Sequence, residues 1–305
     1  MENSPLDCLV IGAGPAGLTA AIYLARFHLA VGVVDGGQSR AALIPRTRNH
    51  AGYPGGISGT GLLGLMARQA GEFGVRVERA AIESLERAQG GFRARAIGQN
   101  WTARSLLLAT GVVNHRPPMA DDVHDEALQR GLLRYCPVCD GYEVTDRRIG
   151  VIGTGERGLG EALFLRAYSA DVTLIAPEGV HDLTSNQLSQ ARERGIALVG
   201  GPVSALSLQG DSIVVPTGRS DLAFDTVYPA LGSDIRSELA LSLGAKANDE
   251  GCLVVDAHQR TSVAGLYAAG DVTRGLDQIS HAMGEAAVAA TAIRNDLADL
   301  RPQVR

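Results

Sequence analysis

Two cysteines with two residues between them, in Cys136-Pro137-Val138-Cys139, are followed at once by Asp140. A pair at this spacing can close into a small disulfide, and such motifs tend to lower one thiol's pKa so that thiolate is available for exchange. Asp140 offers a carboxyl group that can carry a proton to a departing thiolate; it can also be a turn-forming Asp before Gly141. The same cysteines could be half of a zinc site, or two small buried apolar groups. Zinc needs two more ligands, and no second Cys-x-x-Cys or His-x-His pair exists; His115 and His124 precede the motif without the usual ligand spacing. The expectation is a redox dithiol, Cys136 and Cys139, with Asp140 beside it and no metal. Cys8 and Cys252 stand alone in apolar, strand-like stretches.

A dithiol needs a source or sink of electrons, and two glycine-rich turns could hold one. Residues 7 to 35 read as strand, glycine turn, helix and strand: an apolar run through Ile11, then Gly12-Ala13-Gly14-Pro15-Ala16-Gly17, a helical stretch to His28, and a strand from Ala30 to Val34. Gly12 permits the tight turn, Gly14 lets backbone approach a pyrophosphate, and Gly17 lets helix pack on strand, so that the helix N-terminus faces the anion. Asp35 falls where the second strand ends, near the spacing of an acid that bonds a ribose. A second unit runs through Arg148-Ile149-Gly150-Val151-Ile152 and Gly153-Thr154-Gly155-Glu156-Arg157-Gly158 to a strand at Asp171 to Ala176. Its glycines, Gly153, Gly155 and Gly158, are candidates for NAD(P), but Ala176-Pro177-Glu178 stands where the matching acid should be. No Arg or Lys lies between Asp171 and Gln190 to meet a 2′-phosphate, which leaves NADPH unsupported and NADH open. The alternative is a turn of the same fold that holds no nucleotide.

Near the C-terminus, Gly265 to Val272 reads as a strand entering a Gly270-Asp271 turn, followed by a long Ala-rich helical stretch from about Ser280. That strand needs a sheet to join. If it completes the first unit, residues 1–115 and 243–305 form one discontinuous domain and residues 116–242, with the dithiol, are inserted into it. The expected fold class is α/β, with two Rossmann-like, doubly wound dinucleotide-binding domains. His281, on the last helix, could carry protons or be a capping or partly exposed histidine.

Composition narrows the classes of function. The 305 residues suffice for two domains, and 45% hydrophobic with 20% charged residues is ordinary for a folded chain. A net charge of -5, without a Lys/Arg run, gives no field for phosphodiesters, and 4% aromatics argue against stacking on bases, so no nucleic-acid partner is expected. No apolar stretch approaches a membrane span, and no basic secretory start precedes the first apolar run. The expected compartment is the cytoplasm.

With Gly12 to Gly17, Cys136 to Asp140, Gly153 to Gly158 and Gly270-Asp271 in this order, the chain resembles low-molecular-weight thioredoxin reductases over nearly its whole length. Gly36-Gly37-Gln38, Asn49-His50-Ala51-Gly52-Tyr53-Pro54-Gly55, Leu108-Ala109-Thr110-Gly111 and Gln278-Ile279 also look like the family's flavin-site segments. The resemblance implies FAD held by the N- and C-terminal segments, Cys139 facing the flavin, Cys136 as the interchange thiol, and Asp140 as acid or base. It also implies a homodimer, an inserted domain that rotates, and a thioredoxin-like partner. Two departures bear on function. The family's basic segment for the NADPH 2′-phosphate is replaced by Ala176-Pro177-Glu178 and Gly179-Val180-His181-Asp182, which opens the way to a ferredoxin-like donor. The motif Cys-Pro-Val-Cys resembles that of paralogues that oxidise small dithiols with oxygen, although those often carry His where Asp140 stands. Disulfide reductase, dithiol oxidase and a flavin redox sensor with little turnover are the three readings.

Overall fold

A computed structural model describes residues 5–300 of the chain. The chain opens with β1 (Leu6–Ile11), α1 (Pro15–Arg26), β2 (Val31–Asp35), α2 (Gly59–Glu72), β3 (Val77–Arg79), β4 (Ser84–Ala88), β5 (Gly91–Ala96) and β6 (Gln99–Leu108). It leaves this unit at β7 (Val112–Asn114). The inserted stretch contains α3 (Asp121–Gln129), α4 (Pro137–Asp140), β8 (Ile149–Ile152), α5 (Gly155–Leu165), β9 (Val172–Ile175), α6 (Ser185–Glu193), β10 (Ala197–Val199), β11 (Ser207–Gln209), β12 (Ser212–Pro216), β13 (Asp221–Phe224) and β14 (Thr226–Pro229). The chain returns through β15 (Ser233–Ile235), which pairs with β7, to α7 (Glu238–Leu241), β16 (Leu266–Ala268) and α8 (Ile279–Leu300). The two compact units are residues 1–44, 57–113 and 234–305, and residues 45–56 with 114–233.

In the first unit the sheet order is β3-β2-β1-β6-β5-β4, and β16 also pairs with β6. The strands β1, β2, β3 and β16 run parallel to their neighbours, while β4 and β5 form an antiparallel excursion leading into β6. Side chains alternate across a strand, and the apolar residues of β1 divide accordingly. Cys8 and Val10 join Ala20, Ala21, Ala286 and Ala290 in one core, whereas Leu9 and Ile11 join Phe92, Leu106 and Leu108 in another. Covering on both faces explains why these strands read as continuous apolar runs. Alanines on α8 let it lie close against α1. That helix ends at Arg26 rather than His28, because His28 takes a left-handed conformation (φ 62°) and Leu29 N–H turns back to the Leu24 carbonyl (3.2 Å).

The second unit repeats the scheme on a smaller scale, with a parallel sheet β10-β9-β8-β14. Ile149, Val151, Leu174 and Tyr228 pack towards α5 residues Leu159 and Ala162, while Ile152, Ile175 and Val227 face Ile213, Val215 and Phe224. The latter come from the antiparallel sheet β11-β12-β13, an excursion that the glycine motifs do not announce. No helix among the described residues is long and apolar enough to cross a membrane.

Candidate active site

In the first unit, the turn after β1 is built so that only glycine fits at two of its positions. Gly12 has φ 106°, and a Cβ there would lie 2.3 Å from the Ala109 carbonyl oxygen. A Cβ on Gly17 would lie 1.8 Å from the Gly12 carbonyl oxygen, so helix and turn meet backbone to backbone. Gly14 differs: its missing side chain would meet only Ser39 Oγ, at 3.3 Å. Gly14 is the N-cap of α1, with Pro15 and Ala16 following, and no side chain caps the helix or places an acid in its first turn. An open, uncapped helix start leaves backbone N–H groups that can receive an anion such as a pyrophosphate. Asp35, at the end of β2, accepts the Ala13 N–H on Oδ1 (3.0 Å) and so stands beside the turn. Gly36 follows it directly.

The ends of β6 and β16 extend this arrangement. Thr110 Oγ1 donates to the Arg236 carbonyl (2.6 Å), and the Arg236 guanidinium donates to Gln38 through Nη2 to Oε1 (2.9 Å) and Nη1 to the carbonyl (3.3 Å). Gly270 has φ 81° and donates its N–H to Glu285 Oε2 (2.7 Å). Asp271 Oδ2 lies 3.1 Å from Arg40 Nη1, which also holds Asp277 Oδ2 at 2.8 Å. Burial is the main cause raising the Asp271 carboxyl above its ordinary range; Asp277 and Glu285 push the same way and Arg40 opposes them. Gln278 donates its side-chain amide to the Asp277 carbonyl (2.9 Å), and Ile279 begins α8. His281 Nε2 lies 3.1 Å from Glu285 Oε1. Arg40, Arg236 and Glu285 are the residues here that sequence reasoning missed. Nothing in local spacing marks them, since Arg236 reaches Gln38 and Arg40 reaches Asp271 only through the fold.

Asn49 belongs to the second unit, where Thr47 Oγ1 donates to its Oδ1 (2.9 Å). The second unit also holds the dithiol. Cys136 and Cys139 form a disulfide with Cα atoms 5.2 Å apart. Cys136 is the N-cap of α4 and accepts the Cys139 N–H on its sulfur (3.1 Å). Pro137 fits the first helical position, where no N–H is needed. Val138 is exposed, at 47%. Asp140 closes α4 with both carboxylate oxygens engaged: Oδ2 accepts Arg134 Nη1 (2.7 Å) and Oδ1 accepts the Tyr228 hydroxyl (2.8 Å). Burial raises the Asp140 pKa in spite of Arg134 and Tyr228, and Glu143 adds to the rise. A carboxyl that binds its proton more tightly than usual, adjacent to a disulfide, is suited to proton transfer.

The second glycine turn departs from the first. A Cβ on Gly158 would lie 2.6 Å from the Gly153 carbonyl carbon, so the close packing of helix on turn is kept. Thr154, the N-cap of α5, does not cap that helix; its Oγ1 accepts the Asp182 N–H (2.7 Å). Gly155 has φ 62°, and the nearest atom to a Cβ there is the Asp182 carbonyl oxygen, at 3.7 Å. Glu156 occupies the first turn of α5. Beyond β9, Glu178 and Asp182 are exposed, and no Arg or Lys occurs from Val172 to Gln190.

Residues 6–286 match the family model described as "Pyridine nucleotide-disulphide oxidoreductase". The chain is 31% identical over 278 residues to the thioredoxin reductase of Mycolicibacterium smegmatis, a match that covers 87% of this chain and 88% of that protein. It is also 31% identical over 299 residues to the thioredoxin reductase of Treponema pallidum (94% and 95%). The crystal structure of thioredoxin reductase from Streptococcus pyogenes superposes with a TM-score of 0.88 at 25% identity, covering 98% of this chain and 100% of that one.

Proposed function

Because the chain belongs to the pyridine nucleotide-disulphide oxidoreductase family, we propose that its Cys136–Cys139 disulfide carries electrons from FAD to the disulfide of a thioredoxin-like protein, with NADH as the source. The chain is a thioredoxin reductase-like flavoprotein disulfide oxidoreductase, of a family that implies FAD and a nicotinamide nucleotide. FAD, when bound, accepts two electrons from the nicotinamide and delivers them to a disulfide. The open start of α1 at Gly14 to Gly17 takes the pyrophosphate, Asp35 takes a ribose hydroxyl, and Asp271 with the segment from Gln278 to Ile279 lines the remainder. Thr110, Gly36 and Gln38 frame the same end of the sheet.

On the protein side the chemistry needs three groups, Cys136, Cys139 and Asp140. The disulfide gains two electrons: Cys139 Sγ would be the sulfur that receives them from FAD, as the family resemblance implies, and Cys136 Sγ leaves as thiolate, which takes a proton from Asp140. Asp140 then withdraws that proton, and the resulting Cys136 thiolate attacks one sulfur of the partner's disulfide and expels the other, which takes up the proton. Cys139 in turn attacks Cys136 Sγ, releasing the partner as a dithiol and restoring the Cys136–Cys139 bond. The carrying observation is the closed disulfide followed directly by a half-buried carboxyl gripped by Arg134 and Tyr228, whose pKa burial raises. The acids Glu178 and Asp182, in the place of cations, support NADH over NADPH. The test is anaerobic stopped-flow with a thioredoxin-like protein as acceptor. NADH should bleach the flavin and yield partner thiols, and Cys136→Ser should keep the bleaching and lose the thiols.

The same acids favour one second reading, in which no nicotinamide is the working donor. A small dithiol would reduce the disulfide, and oxygen would take the electrons from FAD as hydrogen peroxide. Peroxide formed from dithiols without nicotinamide would select this reading, and a reduced ferredoxin-like protein that bleaches the flavin when NADH does not would select the third kind of donor.

A further inference from the structure

Asp140 is held in a manner that neither its neighbours in sequence nor the dithiol motif requires. Arg134 is fixed from two sides: its N–H donates to the Val227 carbonyl (2.9 Å) and its Nε to the Gly131 carbonyl (3.0 Å). The Val227 N–H donates in turn to the Leu132 carbonyl (2.8 Å), so the segment that enters the dithiol is laced to β14. Tyr228 is the next residue of that strand, and its side chain is fully buried among apolar neighbours of the α5 core. From these two anchored positions, Arg134 Nη1 and the Tyr228 hydroxyl each grip one oxygen of Asp140.

We propose that Arg134 and Tyr228 are positioning residues for the proton carrier, and that Tyr228 is the partner whose hydrogen bond reverses when Asp140 takes up its proton. The proposal rests on the reading of Asp140 as the group that protonates the leaving Cys136 thiolate. Its logic is the donor inventory: a guanidinium has no acceptor, whereas a phenol hydroxyl can donate or accept. A proton on Oδ2 would face Arg134 and break that contact. On Oδ1 it faces the Tyr228 oxygen, which can accept it while Arg134 keeps Oδ2. When the proton passes to the Cys136 thiolate, Tyr228 and Arg134 both donate again to the carboxylate. Electrons for that step come from the nicotinamide through FAD; of the two protons that convert a disulfide to a dithiol, Asp140 supplies the one on Cys136 and the other arrives with the electrons from the reduced flavin.

The charged and titratable groups around Asp140 are few. Arg134 precedes α4, Tyr228 comes from β14, and Glu143 lies in the turn after α4, itself 3.5 Å from Arg48. Helix α5, packed on α4, carries the acids Glu156 and Glu161, and the ring of Tyr168 beyond it lies against Gly141. Arg134 and Tyr228 are the two that touch the carboxylate and favour its ionised form. Removing either must therefore leave Asp140 protonated to higher pH.

The experiment is an infrared pH titration of the oxidised holoenzyme, following the carbonyl stretch of protonated Asp140 and assigning it by its absence in Asp140→Asn. The midpoint should rise by roughly one pH unit in Tyr228→Phe, which keeps the buried ring, and further in Arg134→Gln, since a hydrogen bond to a charged group is worth more than one to a neutral group. Arg134→Lys should restore part of the shift. The alkaline limb of single-turnover disulfide reduction should move in parallel. Unchanged midpoints in Tyr228→Phe and Arg134→Gln, with the Asp140 band present, would overturn the proposal while leaving Asp140 as proton carrier. Undiminished single-turnover reduction in Asp140→Asn would instead remove the reading on which it rests.

Discussion

Replacing Gly17 with alanine should uncouple flavin binding from the rest of the fold, and the structure gives the size of the effect. The added Cβ would lie 1.8 Å from the Gly12 carbonyl oxygen, 2.9 Å from its carbon and 3.3 Å from Ala109 Cβ. Nonbonded heavy atoms settle at roughly 3.5 Å, so α1 would have to retreat from the turn by about 1.7 Å. Little room exists for that retreat, because Ala20, Ala21, Ala286 and Ala290 are all fully buried on the α1 and α8 faces. Overpacking of this kind costs about 1 to 3 kcal/mol. At roughly 2 to 4 °C per kcal/mol for a domain of this size, the melting temperature should fall by about 2 to 12 °C. The helix start would also leave the pyrophosphate position, and each charge-assisted hydrogen bond lost weakens FAD by about 1.5 to 3 kcal/mol, a factor of roughly 10 to 150. The assay is the ratio of flavin to protein absorbance after gel filtration, with melting curves of the apoprotein. Gly64→Ala on α2 is the control: nothing lies within 4 Å of its Cβ, and it should keep its flavin and melt no lower. If Gly17→Ala bound FAD stoichiometrically and melted with wild type, the assignment of this turn to the pyrophosphate would be wrong.

Asp271→Asn should separate stability from cofactor binding. The Asp271 carboxyl has a folded pKa above its ordinary 3.8, so its favourable contribution is complete below that value and is lost as pH rises through the raised one. Apo Asp271→Asn should therefore melt above wild type at pH 7 to 8, with the difference closing towards pH 4, while FAD retention declines. The pair Glu178→Arg and Asp182→Arg should tighten NADP+ binding by about 10- to 100-fold, through new charge-assisted contacts with the 2′-phosphate; calorimetry showing no gain over NAD+ would argue against nucleotide at this turn. Cys139→Ser should abolish electron transfer from the flavin to any disulfide, leaving flavin reduction by NADH intact in stopped-flow traces.

Much of this arrangement was legible in the sequence because it rests on local rules. Gly12 to Gly17 with Asp35 describe one continuous strand-turn-helix-strand, and each glycine answers to a close approach within that span. Cys136 to Cys139 is likewise a local constraint, four residues closing one ring. Gly265 to Val272 reads as a strand that requires a sheet, and β16 pairs with β6 in parallel. What escaped was whatever depends on distant residues meeting. Arg134 and Tyr228 are separated by most of the inserted unit, and Tyr228 lies in Thr-Val-Tyr-Pro, a stretch that reads only as a buried strand. Arg40 reads as one more surface cation until the fold sets Asp271 and Asp277 beside it. The antiparallel excursions β4-β5-β6 and β11-β12-β13 were unread for a related reason, since short strands between glycine turns carry weak periodicity.

The proposed reaction requires the Cys136–Cys139 disulfide to exchange electrons with bound FAD. An anaerobic reductive titration of the purified holoenzyme with dithionite, followed by flavin absorbance and by thiol count, addresses this directly. It should consume about four electrons per chain, two for FAD and two for the disulfide, and expose two new thiols, with NADH reaching the same end point and Cys136→Ser stopping at about two. A wild-type enzyme whose flavin bleaches fully at two electrons, with no thiol released on further addition, would contradict it.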